Sequence, residues 1–289
     1  MNEIALVTDS TAYLLPDEIA RYGITVIPLT VNFDDGSIED ELVEAKDFFD
    51  RVNRSKKMPF TSQPAQGAFV EAYKKLLAEG KEIVSIHVSS RLSGTLNSAT
   101  GAAAMVDSGK ITLIDSESAT APLAFLVLQG ARWAKEGIDR ATIAARLKQG
   151  VKELGSFFIP DTLEYMKKGG RIGGAQALLG SLLQIKPVLH FSGGVVEVFE
   201  KVRTKRRAVQ RMLAELPLGK KHLWAAVVHC AAPEEAAGIR ELVKAAAPQA
   251  RVEIREIGPV INIHGGPGLV GMGFWAHDYD EGFPKEGHI

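Results

Sequence analysis

Apolar and polar positions follow two different rhythms along the chain. In the first half, short β-rich apolar runs (Ile4 to Val7, Ile83 to Val88, Ile111 to Ile114) each end in a small polar cluster, and an amphipathic segment follows. The clusters are Thr8-Asp9-Ser10-Thr11, Ser89-Ser90 and Asp115-Ser116-Glu117-Ser118. Continuous apolar strands alternating with helices predict a parallel sheet with helices on both faces. Gly23 to Thr30 reads as a fourth strand. Ligands of such sheets bind beyond the carboxyl ends of the strands, where the polar clusters fall.

The second half predicts a mixed, partly antiparallel α/β domain. Strands are expected at Phe157 to Ile159, Ile185 to Phe191, Val195 to Phe199, Leu223 to His229, Val252 to Ile257 and Val260 to Ile263. Ser192-Gly193-Gly194 is a hairpin signal between two of them. Helices are expected at Gly174 to Leu183, Arg206 to Leu216 and Pro233 to Ala246, the last opened by Pro233 and stopped by Pro248. The change of texture near residues 155 to 162 divides the chain into an α/β domain over 1–158 and a mixed domain over 159–265. Two such domains leave a cleft between them.

Composition narrows the classes. The 289 residues are 46% hydrophobic and 24% charged, values of an ordinary globular protein rather than a disordered or fibrous one. A net charge of −1 supplies no global field toward nucleic acid or anionic lipid. The one cysteine, Cys230, forms no internal disulfide or Cys-x-x-Cys site and fits a reducing cytoplasm. Ala121 to Leu128, the longest clean apolar run, is too short to span a bilayer, and the N-terminus lacks the basic leader of a secretory signal. These features predict a cytoplasmic protein without membrane insertion.

Gly266-Pro267-Gly268-Leu269-Val270-Gly271 matches the dinucleotide fingerprint in letters only. That fold needs a helix, a second strand and a distant acid after the glycines, and too little chain remains. The glycines read instead as a tight turn or a close backbone approach to a ligand. Phe60-Thr61-Ser62-Gln63-Pro64 and Ser89 to Thr95 each place hydroxyls at an expected helix start, where free N–H groups and the macrodipole favour an anion. The competing reading is plain N-capping. No lysine or Walker loop accompanies them, which suits a singly charged carboxylate better than a triphosphate. His264, expected after a strand and before Gly265-Gly266, is a further candidate donor, with a backbone-satisfied histidine as the alternative. Asp9 and Asp115 read as loop anchors or an acid/base pair, and no serine has the Gly-x-Ser-x-Gly context of a hydrolase. The histidines show no metal-ligand spacing.

Residues 201–221 carry eight basic side chains against Glu215, a local charge of +7. That reads as a solvated face or as a contact surface for a phosphate-bearing or acidic partner. Nucleic acid ranks third because aromatics are not interleaved.

In order, Thr8-Asp9-Ser10-Thr11, Thr61-Ser62-Gln63-Pro64, Ser89 to Thr95 and Thr162-Leu163-Glu164-Tyr165 resemble the DegV family of bacterial fatty-acid-binding proteins. So do Gly169-Gly170-Arg171-Ile172-Gly173, Ile185-Lys186-Pro187, Glu200-Lys201-Val202-Arg203-Thr204, and His264 with Gly266-Pro267-Gly268. The resemblance spans nearly the whole chain. It implies a two-domain binder holding one long-chain fatty acid such as hexadecanoate between the domains, with residues 266–289 as a candidate completion of the first. It implies carboxylate binding by Thr61, Ser62, Ser93 and Gly94 with His264 close by. It also implies presentation of the acid to a separate ATP-dependent fatty acid kinase, with Arg203 in that contact, and neither a cofactor nor turnover by this chain alone. The enzyme alternative is a small-molecule or phosphosugar kinase using the same cleft.

Overall fold

The structure, a computed structural model, describes residues 3–41, 43–179 and 185–278. Three sheets organise them. Strands β1 (Ile4–Asp9), β2 (Thr25–Ile27), β6 (Glu82–His87) and β7 (Ile111–Asp115) form a parallel sheet in the order β2-β1-β6-β7. The expected fourth strand is split. The chain leaves the parallel sheet at Pro28, which has no N–H for a ladder, and Thr30 opens β3 (Thr30–Phe33) in a different sheet. There β3 lies between β4 (Gly36–Glu39) and β5 (Phe60–Ser62), all antiparallel. This small sheet was not anticipated, and Thr61 and Ser62 belong to its edge rather than to a helix start.

The third sheet is mixed, in the order β10-β9-β8-β13-β11-β12. Its strands are β8 (Leu154–Ile159), β9 (Lys186–Ser192), β10 (Val195–Val202), β11 (His222–His229), β12 (Arg251–Glu256) and β13 (Val270–His277). Two expectations are corrected by it. Within 266–289, the stretch offered as a completion of the first sheet, β13 instead pairs antiparallel with β8 on one side and β11 on the other, at the centre of the mixed sheet, and residues 279–289 lie outside the described ones. The chain also enters the mixed sheet at Leu154, ahead of the boundary expected after residue 158. The Gly193-Gly194 hairpin is present, with φ of 55° and 80° at its two glycines.

Ten helices lie among the described residues. The first three are α1 (Pro16–Tyr22), α2 (Ala45–Arg54) and α3 (Gln66–Ala78), and α4 (Thr95–Met105) and α5 (Thr120–Lys135) follow. Beyond them come α6 (Arg140–Glu153), α7 (Glu164–Lys168), α8 (Lys205–Leu213), α9 (Pro233–Ala246) and α10 (Pro259–Gly265). The helix expected at Gly174 to Leu183 is a 3-10 turn over Gly173–Leu178, and residues 180–184 lie outside the described ones. Val260 to Ile263, read as a strand, is helical. Pro259 starts that helix, and its cap comes from Asp40, 220 residues away. No helix among the described residues is long and apolar enough to cross a membrane.

Helix α5 joins the halves. It is apolar around its whole circumference, with Leu123, Phe125, Leu126 and Val127 fully buried, as a helix enclosed by a core must be. One side packs on β1 and the other on β13, and the Phe125 ring lies 4.3 Å from that of Trp224 on β11. Both sheets therefore share one continuous core. Phe125→Ala should cost about 3–5 kcal/mol, and the parallel and mixed sheets should unfold in a single transition. Chemical denaturation followed by circular dichroism and by tryptophan fluorescence checks this. Two separate transitions would show that the sheets do not share their stability.

Candidate functional site

A cavity of about 360 Å³ lies between the mixed sheet and the carboxyl ends of the parallel strands, with one edge on the small sheet. Most of its wall is apolar, including Leu29, Val88, Phe158, Phe191, Val228 and Leu269. Thr61, Ser62, Ser93, Gly94 and His264 all line it. Residues from three remote segments thus meet at one cavity, as expected. Arg203 does not line it. It is exposed, in the bend between β10 and α8.

The hydroxyls of Thr61, Ser62 and Ser93 each have a hydrogen-bond partner beside the cavity. Asn32 Nδ2 donates to Ser62 Oγ at 2.9 Å, and its amide orientation is fixed because the same group donates to the Phe60 carbonyl, which can only accept. The Thr95 N–H donates to Ser93 Oγ at 3.3 Å, and the Thr95 hydroxyl lies 2.8 Å from the same oxygen. Thr61 Oγ1 lies 2.9 Å from His264 Nε2. The other ring nitrogen, Nδ1, is buried without a partner against Gly169, where even a Cβ would come within 2.1 Å of it. A buried N–H without an acceptor is the costlier vacancy, so we assign the proton to Nε2, which donates to Thr61. Because Ser62 accepts from Asn32 and Thr61 from His264 in this assignment, their hydroxyl hydrogens are left for the cavity. The Gly94 N–H, at the N-cap of α4, has no backbone partner among the described residues.

The signal missed in the sequence is Arg171. After α7 the chain turns back through Gly170, at φ 70°, and the Arg171 N–H closes the turn on the Met166 carbonyl at 3.0 Å. The guanidinium donates to the Leu92 carbonyl at 3.0 Å and the Gly169 carbonyl at 2.7 Å, and it lines the cavity. The hydroxyl cluster therefore has a cation beside it, contrary to a head site built from hydroxyls and amides alone. Burial first, and then the charge of Arg171, push the His264 imidazole down to about 4, so it is neutral at pH 7.

Such a cluster offers donors to an anion and little else. Nucleophilic catalysis through Thr61 and His264 would need a third group to orient the base, and His264 Nδ1 has none. The Asp9–His87–Ser85 chain has the connectivity of a triad, with Ser85 to His87 at 2.7 Å and His87 to Asp9 at 3.0 Å. It is wholly buried, Tyr73 holds the serine oxygen, and none of these side chains lines the cavity. Asp9 acts as an anchor instead, also accepting the N–H groups of Thr11 and Val88, which do line it. Asp115 likewise accepts from Ser90 and from the Glu117 N–H. Ser89 is structural too: its hydroxyl donates to the Gly194 carbonyl at 2.7 Å, tying the hairpin over the cavity, and only glycine leaves room for that approach. The Gly266 to Gly271 run is a turn with positive φ at Gly266 and Gly268, and a strand follows it rather than a nucleotide-binding helix. Among the described residues no cluster of His, Cys, Asp and Glu could hold a metal ion.

Fold and site together define an α/β protein with a largely apolar cavity that carries a cluster of hydroxyls and one guanidinium on its wall. The chain belongs to the DegV family, whose model, described as an uncharacterised protein of that family, matches residues 3–277. A DegV domain-containing protein of Halalkalibacterium halodurans is 38% identical over 280 residues, 95% of this chain and 99% of that protein. Among solved structures, a fatty-acid-binding DegV family protein from Thermus thermophilus superposes with a TM-score of 0.90 at 34% identity, over 95% of this chain and 99% of that one. The fatty acid binding protein DegV of Bacillus subtilis gives 0.86 at 35% identity, over 96% and 100%.

Asp40 holds the histidine-bearing helix in place. Its carboxylate, almost fully buried, accepts the Val260 N–H at 2.9 Å and the Ser10 hydroxyl at 2.8 Å, and burial pushes its pKa up to about 6. Because the folded pKa lies above the ordinary value of 3.8, folding takes up a proton between the two. Relative to Asp40→Asn, the wild type should therefore gain stability as pH falls from 7 through about 6, levelling off below about 4. Urea titrations of both proteins across that range check the sign. A difference that stays flat with pH would mean that Asp40 titrates normally.

Proposed function

We propose that this protein binds a long-chain fatty acid in the cavity. The carboxylate sits among Thr61, Ser62, Ser93, the Gly94 N–H and Arg171, with His264 orienting Thr61. The observation that carries this reading is the gathering of hydroxyl donors and one guanidinium on a cavity whose other walls are mostly apolar. The fatty-acid-binding structures from Thermus thermophilus and Bacillus subtilis support it. A sixteen-carbon chain buries about fourteen methylenes, on the order of 11 kcal/mol gross at about 0.8 each, much of it offset by lost motion. The tail supplies affinity and the head site fixes orientation. One cation balances one carboxylate, whereas a phosphosugar or nucleotide would bring more charge than the site answers.

Ser93→Ala and Thr61→Val should each weaken binding by about 1.5–3 kcal/mol, the value of a hydrogen bond to a charged group. Acetate, lacking the methylenes, should barely bind. Displacement of a fluorescent fatty acid measures both. Unchanged affinity in both variants would remove the carboxylate from this end of the cavity, and equal binding of acetate and palmitate would remove the fatty acid altogether.

The protein's role in this reading is to present the acid to a separate ATP-dependent kinase for acyl phosphate formation, without turnover of its own. Arg203 supports it. Lys205 pairs with Asp161 and Glu235, and Arg211 with Glu200 and Glu215, so much of the basic segment is internally neutralised. Glu200 is thereby taken, and Arg203, exposed, has no ion-pair partner among the described residues. A free guanidinium can grip phosphate with two parallel bonds. Arg203→Ala should leave fatty acid affinity nearly intact and impair acyl phosphate production with the cognate kinase and ATP. Equal production rates would remove Arg203 from the handover, and lost fatty acid binding would place it in the ligand site instead.

A further inference from the structure

The polar side chains lining the cavity divide into those with a partner and those without. Thr11 donates to Asp9, Thr61 meets His264, Ser62 accepts from Asn32, Gln63 donates to Ser98, Ser93 meets Thr95, and Arg171 donates to two carbonyls. Two hydroxyls on the same wall, Thr120 and Ser156, have none among the described residues. Thr120 is only 9% exposed. An unpartnered hydroxyl on a largely apolar cavity is a donor and acceptor still open to a ligand.

The two residues are linked through β13 and the first turn of α5. Ser156 on β8 stands opposite Gly273 on β13. Gly273 is so close to the first turn of α5 that a Cβ on it would come within 2.7 Å of Pro122. Thr120 opens that same turn. Neither residue shares a hydrogen bond or a strand pair with Thr61, Ser93 or His264. Thr120 is also held at a φ of 57°, in the left-handed region that β-branched residues avoid, and backbone of that kind gathers at ligand clamps. Ala119, the N-cap, gives α5 no side-chain cap, so its first N–H groups add donors on the same side.

We infer that Thr120 and Ser156 form a second polar subsite that recognises an oxygen carried along the acyl chain, and that the preferred ligands are hydroxy fatty acids. The chemistry is neutral. No acidic or basic residue lines this end, so a second carboxylate would be buried without a counter-charge. Two hydroxyls can together accept from and donate to a chain hydroxyl, which satisfies all three groups. The inference rests on the cavity holding a fatty acid.

The test compares stearic acid with a positional series of monohydroxystearic acids, each displacing the same fluorescent fatty acid from the wild-type protein. One isomer, the one whose hydroxyl falls level with Thr120, should bind about tenfold more tightly than stearic acid, the worth of one well-made hydrogen bond. In Thr120→Val with Ser156→Ala, and in Ser156→Ala alone as the milder change, that advantage should shrink toward none. Hydroxy isomers that all bind no better than stearic acid would overturn the subsite while leaving fatty acid binding standing. An advantage that survives both variants would overturn the assignment to these residues. If stearic acid itself fails to displace the probe, the proposed function falls and the subsite with it.

Discussion

Everything about the cavity depends on the burial of α5 between two sheets. A helix apolar on every side has no solvated face, so β1 on one side and β13 on the other must both stay in contact with it. Separating the halves would expose Phe125, Trp224 and the leucines of α5 together. A large apolar interface of this sort resists the relative motion expected of loosely joined domains. The space beside the helix persists because the walls are held by a core, and not because a ligand props them apart.

The head site is less self-sufficient. His264 reaches Thr61 only because α10 is held at its start by Asp40, and Asp40 belongs to the chain just after the small sheet that carries Thr61. Tyr13 adds a second strut, its hydroxyl accepting the Ile261 N–H. The histidine and its threonine are thus positioned by a single clamp. Arg171 works similarly from another direction, bracing its own turn and the loop before Ser93 through two carbonyls. Four segments far apart in sequence are brought to common geometry, by Asp40 and Tyr13 outside the proposed chemistry and by Arg171 within it.

Much of this was legible in the residues. The parallel strands, the β9–β10 hairpin, α9 and most mixed-sheet strands follow from hydrophobic period and turn chemistry, which act locally. Phe60 to Pro64, Ser89 to Thr95 and His264 stand out in the sequence for their hydroxyls and histidine, whereas the choice of Thr61, Ser62, Ser93 and Gly94 within them comes from the family resemblance. What escaped was set at long range. Val260 to Ile263 has strand-like residues, yet a cap from Asp40 makes it a helix. Phe60 to Ser62 resembles a helix start because its partner strand, β3, lies just beyond the strand expected to end at Thr30. β13 was obscured by its glycines, which are there because Phe158, Val228 and Pro122 press against that strand. Arg171 sits in a motif that was seen, but only the turn at Gly170 aims it at the cavity.

The position of β13 has a consequence for how the molecule comes into being. Of the strands in the mixed sheet it is the last to leave the ribosome, yet it belongs in the middle, between β8 and β11. Until it arrives, β8 and β11 each present an unpaired edge, and α5 lacks one of the strands that cover its second side. The parallel sheet can assemble while translation continues, as early segments generally do. The wall that closes the cavity cannot. The nascent chain therefore carries open strand edges until β13 emerges, and the cavity wall is completed in one late step.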